Sequence, residues 1–126
     1  LVSPEDMTQI KSDYEKILWV LTQLMDNAIK FTPPGGKITL DVEQNGKLIL
    51  LSISDNGIGI PADKIDHVFE PFYQIDGSST RKAGGMGLGL ALVKKIVEAH
   101  GSIINLTSSV GHGSRFEFML KIVEKN

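Results

Sequence analysis

The glycines of this chain are clustered, and this clustering most limits how the chain can fold. Two of the 13 glycines are Gly57 and Gly59, and four more lie within residues 84–89. Glycine is favoured where the backbone must bend sharply or come close to a ligand. The sequence therefore predicts two loops in which the backbone bends sharply or lies close to a ligand, where larger side chains would not fit.

The composition is that of a globular domain without specialised chemistry. A chain of 126 residues with 41% hydrophobic and 22% charged residues suits one domain, predicted to span residues 1–126, with a single core. A net charge of −2 gives no reason to expect nucleic-acid binding. No apolar run has the length of a bilayer span, no signal segment opens the chain, and zero cysteines exclude disulfides and thiolate metal sites. These observations favour a cytoplasmic location, and they are compatible with a parent protein that is anchored in a membrane.

Hydrophobic periodicity predicts an α/β chain of about five strands and three helices. The predicted strands cover residues 7–11, 38–42, 47–54, 102–109 and 115–122, and the predicted helices cover residues 13–31, 61–68 and 88–101. Ile38, Leu40 and Val42 alternate as in a half-buried strand, and the Asn45-Gly46 pair that follows is a strong hairpin signal. The expected fold is a two-layer sandwich in which a mixed sheet carries the helices on one face.

Gln23, Asn27 and Lys30 form one polar stripe on the first predicted helix, because they are spaced i, i+4 and i+7. Side-chain amides offer oxygen ligands for Mg²⁺, and a lysine adds a cation for phosphate. A solvated face of an amphipathic helix has the same pattern, and the stripe alone favours that interpretation.

Asp55 follows the predicted central strand and opens the segment DNGIGIP, which ends at Pro61. A carboxylate there can accept a hydrogen bond from an exocyclic amine such as that of adenine, while Gly57 and Gly59 let the backbone approach the ring. An ordinary Asx-Gly turn is the alternative. The segment also matches a dinucleotide-binding fingerprint formally, but Pro61 interrupts the turn and Asp76 lies in a predicted loop, which argues against that fingerprint.

The second glycine cluster, GGMGLG at residues 84–89, opens the last predicted helix. Free backbone N–H groups and the positive end of the helix dipole make such a start an anion site, and Arg81 and Lys82 lie just upstream. The cluster is not a P-loop, because no Lys-Ser or Lys-Thr pair follows it. Close packing of the helix against the sheet is the alternative.

Four segments, taken in chain order, resemble the asparagine, first glycine, phenylalanine and second glycine boxes of the histidine kinase catalytic domain. They are QLMDNAIKFTPPGG, DNGIGIP, FEPFYQ and GGMGLGLALVKKIVEAHG. The resemblance implies the Bergerat fold, which gyrase, the mismatch-repair ATPase and a heat-shock chaperone share. It further implies ATP and Mg²⁺ as ligands, and transfer of the γ-phosphoryl group to a histidine in two-component signal transduction.

The resemblance also implies a role for individual residues. Asn27 would ligate Mg²⁺, with Gln23 as a second candidate, and Asp55 would bind the adenine amine. The implied catalytic residues are Asn27, Lys30 and Arg81, and the implied nucleotide-binding residues are Gln23, Asn27, Lys30, Phe31, Asp55, Gly57, Gly59, Ile60, Phe72, Arg81, Lys82, Gly85, Met86, Gly87, Leu88, Gly89 and Thr107. Phe69 and Phe72 would anchor a lid at about residues 74–84, and Thr107 would support adenine through water.

Gln23 departs from the family pattern, which has Asn at this position and Glu in the hydrolytic relatives. Because an amide cannot act as a general base, slow ATP hydrolysis is expected. None of His67, His100 and His112 begins a His-Glu or His-Asp pattern with a proline after it. The implied acceptor therefore lies on a dimerisation and histidine phosphotransfer domain of the same kinase. A response regulator is the second implied partner, and the isolated domain is expected to be a monomer.

Three other functions stay open at the level of the sequence. A serine kinase or a protein-binding switch of the same superfamily would bind the same nucleotide. A non-catalytic ATP sensor would bind ATP and transfer nothing. A purely structural domain would bind no nucleotide at all.

Overall fold

The helices and strands lie within residues 4–73 and 89–121, which are the residues that the structure, a computed structural model, describes. In chain order they are α1 (Pro4–Phe31), β1 (Ile38–Asn45), β2 (Leu48–Asp55), α2 (Ala62–Ile65), α3 (Gly89–Ala99), β3 (Asn105–Ser109) and β4 (Gly113–Lys121). None of the helices among these residues is long and apolar enough to cross a membrane.

The strands form one antiparallel sheet in the order β1-β2-β4-β3. The central place of β2 confirms the prediction for residues 47–54, and the hairpin predicted at Asn45-Gly46 joins β1 to β2. The two-layer α/β class is confirmed as well. The prediction of about five strands in a mixed sheet is wrong for the described residues, which hold four strands that are all antiparallel.

The predicted strand at residues 7–11 is instead part of α1, which begins at Pro4. The sequence carries a helix-start signal there, since a proline suits the first turn and acidic residues such as Glu5 and Asp6 favour the positive end of the helix dipole. The short apolar alternation at residues 7–11 does not override that signal, because a five-residue pattern is ambiguous between helix and strand.

The hydrophobic core lies between the sheet and a layer formed by α1 and α3. Its buried members are Val20, Leu24, Ala28, Leu51, Ile53, Val93, Val97, Ile104, Phe116 and Phe118. The three from α1 are spaced i, i+4 and i+8, so they lie along one side of the helix. Burial of each large apolar side chain contributes about 1.5–3 kcal/mol. This core fixes the position of α1, and with it the polar stripe, relative to the sheet.

β1 is an edge strand, and its apolar side chains are less buried than the alternation predicted. Ile38 packs against the core, but Leu40 is 46% exposed and Val42 is 59% exposed. The prediction of a half-buried strand is therefore wrong for these two residues. The physical reason is the position of β1 at the edge of the sheet, because α1 and α3 pack over the central strands and leave these two side chains uncovered.

The prediction of a helix over residues 61–68 is wrong beyond residue 65, where α2 ends. α2 has four residues, and three-residue turns follow it through bonds from His67 N–H to the Lys64 carbonyl and from Glu70 N–H to the His67 carbonyl. α3 ends in a Schellman motif, in which Gly101 has φ +78° and Ser102 N–H donates to the Val97 carbonyl. Gly101 is thus the glycine that ends α3.

Candidate nucleotide-binding site

Asp55 is held at the end of β2 by the loop that follows it. Gly57 N–H donates to Asp55 Oδ1 at 2.9 Å, and Ile58 N–H donates to the Phe31 carbonyl at 3.2 Å. A methyl group on Gly57 would overlap the Phe31 carbonyl oxygen, so only glycine lets the loop pack against the end of α1. The Asp55 carboxylate is therefore oriented through one oxygen, and no residue in the described part of the chain bonds to the other.

Asn56 fastens the same loop to the start of β1. Its Oδ1 accepts a hydrogen bond from Lys37 N–H at 2.7 Å, and its own N–H donates to the Lys37 carbonyl at 3.2 Å. This reciprocal pair occupies the asparagine side chain. Asn56 is thus a structural member of the DNGIGIP segment.

The far side of the loop packs against the turn between β3 and β4. Gly59 has φ +76°, and a methyl group on it would overlap the Ser109 carbonyl oxygen. Gly111 N–H donates to the Ile58 carbonyl at 2.9 Å. Ile60, a predicted nucleotide contact, is only 2% exposed, so its side chain supports the loop from beneath.

Gln23, the first residue of the polar stripe of α1, lies against the start of α3. Gln23 and Asn27 are partly buried. The Gln23 amide oxygen is so close to Gly89 that a methyl group there would lie 2.8 Å from it. The structure thus brings Gln23 of the predicted asparagine box against Gly89, the last glycine of the second cluster, although these residues are 66 positions apart in the sequence.

Lys30 and Phe31 lie at the C-terminal end of the stripe. The Lys30 ammonium is 5.1 Å from the centre of the Phe31 ring, within the range of a cation–π contact. Lys30 is exposed and Phe31 is partly buried. A cation therefore lies near the loop that Asp55 opens, because the Phe31 carbonyl is bonded to that loop.

The two phenylalanines of the predicted lid anchor differ. Phe69 packs against the core with its ring edge-on to Phe116, at 6.1 Å and 89°. Phe72 is 65% exposed and has φ +67°, a conformation that is uncommon for a bulky residue. Phe69 thus fixes the segment to the sheet, while the ring of Phe72 faces outward.

Thr107 and Asp55 lie on opposite faces of the sheet. Thr107 pairs across the strands with Arg115, whose Nη1 is 3.4 Å from Ser54 Oγ on the face away from the helices. These side chains line an open hollow of about 310 Å³, whose lining also includes Asp55 and Ser114. The direct cross-strand partner of Asp55 is Ser114, which is buried on the helix side.

Ser114 and Ser108 are the residues that the sequence reasoning missed. Their hydroxyl oxygens are 2.8 Å apart, which places both on the face that carries Asp55. The signal was present in the alternation, because Ser114 lies two and four residues before Phe116 and Phe118, which are both buried, and alternate residues of a strand share one face.

The sequence matches the family described as histidine kinase-, DNA gyrase B-, and HSP90-like ATPase over residues 12–124. The chain belongs to this ATPase family. The sensor histidine kinase WalK of Bacillus subtilis is 40% identical over 124 residues, which are 97% of this chain and 20% of WalK. The circadian input-output histidine kinase CikA of Synechococcus elongatus is 43% identical over 106 residues, which are 84% of this chain and 14% of CikA. The chain therefore spans a fifth or less of the length of these two relatives.

Solved structures of histidine kinases have the same fold as this ATPase-family chain. The mycobacterial sensor histidine kinase MprB superposes with a TM-score of 0.73 at 30% identity, over 85% of this chain and 72% of that chain. Full-length ShkA in complex with AMPPNP superposes with a TM-score of 0.72 at 26% identity, over 87% of this chain and 22% of that chain. These superpositions agree with the Bergerat sandwich that the sequence predicted.

Several predicted contacts of this ATPase-family member lie outside the described residues. They are Arg81, Lys82, Gly85, Met86, Gly87 and Leu88, together with the predicted lid at residues 74–84. The family match covers them in sequence. Their assignments to the nucleotide stay predictions.

All three histidines of this ATPase-family chain are engaged locally. The hydrogen bond from His67 Nδ1 to Glu70 Oε2, 2.6 Å long, and the charge of Glu70 raise the pKa of His67 above its usual 6.5. His100 Nδ1–H donates to the Ile96 carbonyl at 2.8 Å, while Nε2 is 3.3 Å from Asp13 Oδ1. His112 Nδ1 is 3.3 Å from the Val110 carbonyl oxygen. None of the three histidines lies in the polar stripe of α1 or in the loop at residues 56–61, which we call the glycine loop.

Proposed function

We propose that this chain binds Mg-ATP, with adenine at Asp55, and positions the γ-phosphoryl group for transfer to a histidine on a separate domain. The observation that carries the proposal is the fixed carboxylate at the end of β2. Gly57 N–H holds one of its oxygens at 2.9 Å, and the glycine loop is packed between α1 and the β3–β4 turn.

Asp55 suits recognition of an exocyclic amine. A carboxylate accepts hydrogen bonds only, whereas the adenine amine donates, so the pair is complementary. A base that presents a carbonyl at the same position would face the carboxylate with a second acceptor. A hydrogen bond to a charged acceptor contributes about 1.5–3 kcal/mol. We therefore expect adenine to be preferred over guanine.

The polar stripe of α1 suits the phosphates. Gln23 offers its amide oxygen next to the start of α3, Asn27 lies one turn further along α1, and Lys30 adds a cation over the Phe31 ring. Among the described residues no group of three or more His, Cys, Asp or Glu could hold a metal ion, which fits an ion that is bound mainly through phosphate oxygens. Asn27 is the proposed protein ligand of Mg²⁺. When bound, Mg²⁺ would offset negative charge on the phosphates.

The same stripe explains why transfer rather than hydrolysis is proposed. At the position of Gln23, the resemblance implies a glutamate in the hydrolytic relatives, and an amide cannot take a proton from water. Positioning of the phosphoryl group and electrostatic stabilisation are the contributions that remain for the protein. We expect slow turnover of ATP by this chain alone.

The acceptor is proposed to lie on a dimerisation and histidine phosphotransfer domain, with a response regulator as the later recipient. Each histidine has a local partner: Glu70 for His67, Ile96 and Asp13 for His100, and Val110 for His112. The histidine kinase relatives support this division between domains, since each is much longer than this chain.

The first test is thermal unfolding with and without a non-hydrolysable Mg-ATP analogue. A ligand at a hundredfold excess over its dissociation constant should stabilise the fold by about 2.7 kcal/mol. The analogue should protect the parent and an Asp41→Ala control, whose side chain is exposed on β1, but protect Asp55→Ala much less. No protection of the parent at millimolar analogue would contradict the proposal.

The second test adds ATP and a dimeric helical domain that carries an acceptor histidine. Acid-labile, heat-stable phosphate on that domain supports the histidine kinase. Acid-stable phosphate would indicate a serine kinase, and binding without transfer would indicate an ATP sensor.

A further inference from the structure

The hydroxyl group of Ser108 joins the glycine loop to the start of β4. Ile60 N–H donates to Ser108 Oγ at 2.7 Å, and the Ser108 hydroxyl donates to the Gly113 carbonyl at 2.9 Å. A third contact, 2.8 Å long, joins the hydroxyl groups of Ser108 and Ser114. One side chain thus makes three hydrogen bonds, one to the glycine loop and two to the start of β4.

The direction of the third bond follows from the other two. A serine hydroxyl has one hydrogen, and a carbonyl oxygen can only accept. Because the Ser108 hydrogen is directed to the Gly113 carbonyl, Ser114 must donate its hydrogen to Ser108. The Ser114 oxygen then presents only lone pairs to a ligand.

The same contacts bear on Asp55. Ser114 is the direct cross-strand partner of Asp55, and a methyl group on Gly113 would overlap the Asp55 carbonyl oxygen. The start of β4 therefore lies against the backbone of Asp55 without a gap. A shift of Gly113 or Ser114 would move the carboxylate that we assign to adenine.

We propose that Ser108 is a positioning residue for base recognition, an inference that rests on the proposed function. It holds the glycine loop against β4, and it fixes the Ser114 hydroxyl as an acceptor beside Asp55. An exocyclic amine has two N–H donors. Asp55 and the lone pairs of Ser114 are two acceptors for them, the second directly or through a water molecule.

The test measures how strongly the chain prefers an amine-bearing base. Calorimetric titration with Mg²⁺ compares a non-hydrolysable ATP analogue with its counterpart whose purine lacks the exocyclic amine. The parent should prefer the first by about 10- to 150-fold. Ser108→Ala should narrow this ratio by about 3- to 10-fold, whereas Ser108→Thr, which keeps the hydroxyl, should restore it.

Ser109→Ala is the matched control, because it removes the neighbouring hydroxyl on the opposite face of β3 and should leave the ratio unchanged. An equal loss of affinity for both analogues in Ser108→Ala would overturn the positioning role, since it would indicate general structural damage. If Ser108→Ala is too unstable to titrate, Ser114→Ala replaces it, and an unchanged ratio there overturns the proposal.

Asp55→Ala separates this inference from the function beneath it. If Asp55→Ala keeps the parent's ratio, the proposed adenine contact fails, and the positioning role fails with it. If Asp55→Ala abolishes the ratio while Ser108→Ala keeps it, only the positioning role of Ser108 is overturned.

Discussion

Strand β2 has a glycine near each of its ends, but the two glycines have different structural roles. At the Leu48 end, the hairpin from β1 contains Gly46 with φ +62°, and a methyl group there would meet nothing within 4 Å. At the Asp55 end, Gly59 combines φ +76° with a position where a methyl group would overlap the Ser109 carbonyl. The hairpin needs only a backbone conformation, whereas the loop needs both the conformation and the space.

This difference matters because the second end is where the carboxylate lies. A turn that needs only a conformation tolerates change at moderate cost. A loop packed against α1 on one side and the β3–β4 turn on the other transmits any displacement to Asp55. The glycine loop is therefore tightly constrained by its neighbours, and it is also the loop that we assign to nucleotide binding.

The largest effect is expected for Gly59→Ala. A left-handed conformation costs a non-glycine residue about 1–2 kcal/mol, and overpacking costs about 1–3 kcal/mol. The free energy of unfolding, measured by urea titration, should fall by about 2–5 kcal/mol. A loss below about 1 kcal/mol would mean that the loop can move away from Ser109, and the comparison would break.

Asp55→Ala should act on binding more than on folding. Loss of a hydrogen bond to a carboxylate should weaken binding of the Mg-ATP analogue by about 1.5–3 kcal/mol, or roughly 10- to 150-fold. Calorimetry gives the affinity, and Asp41→Ala should bind as the parent does. Equal binding by both variants would remove adenine from this end of β2.

Gly46→Ala tests the open end of the strand. Only the cost of the left-handed backbone conformation applies here, so the free energy of unfolding should fall by about 1–2 kcal/mol. The affinity for nucleotide should not change. Urea titration and calorimetry measure the two quantities. A change in affinity here would show that the two ends of β2 are coupled, contrary to the comparison.

A smaller effect is expected for Val42→Thr on β1, because this side chain is already 59% exposed. The free energy of unfolding should change by no more than about 0.5 kcal/mol. Its cross-strand partner Leu51, 7% exposed, provides the contrast, since Leu51→Ala should cost about 2–5 kcal/mol. A large fall in the free energy of unfolding of Val42→Thr would mean that the Val42 side chain is buried and not exposed.

The smallest effect concerns His67, in the segment after the glycine loop. Its hydrogen bond and attraction to Glu70 raise its pKa above 6.5, so protonated His67 favours the folded state. That contribution is complete below pH 6.5 and is lost as the pH rises through the raised value. Glu70→Gln should remove this part of the pH dependence of the melting temperature. The same slope in parent and variant would exclude the pair as its source.

Much of this protein follows from short-range pattern. Helical spacing gave the buried side of α1, and Asn45-Gly46 gave the hairpin. The first glycine segment was correctly assigned to a tight loop, because glycine has a local conformational meaning. The helix at residues 7–11 could also have been predicted, since Pro4, Glu5 and Asp6 form a helix-start signal.

Other features depend on which elements become neighbours. Alternation is identical for Leu40 on β1 and Phe118 on β4, yet one is 46% exposed and the other 1%. No sequence pattern states that the helices pack over the centre of the sheet. The role of Ser108 is of the same kind, because its partners Ile60, Gly113 and Ser114 meet it only after the strands have paired.

The sequence by itself determined most of the helices and strands, although not the helix at residues 7–11, together with the two glycine segments, the likeness to the ATPase family and the candidate residues Asn27 and Asp55. Only the tertiary structure decided which face of the sheet is covered, that Ser114 rather than Thr107 lies beside Asp55, and that Gln23 faces Gly89. The physical reason is distance along the chain. Propensity and periodicity act between near neighbours, whereas burial and hydrogen-bond partners are set by contacts between residues that are far apart in sequence.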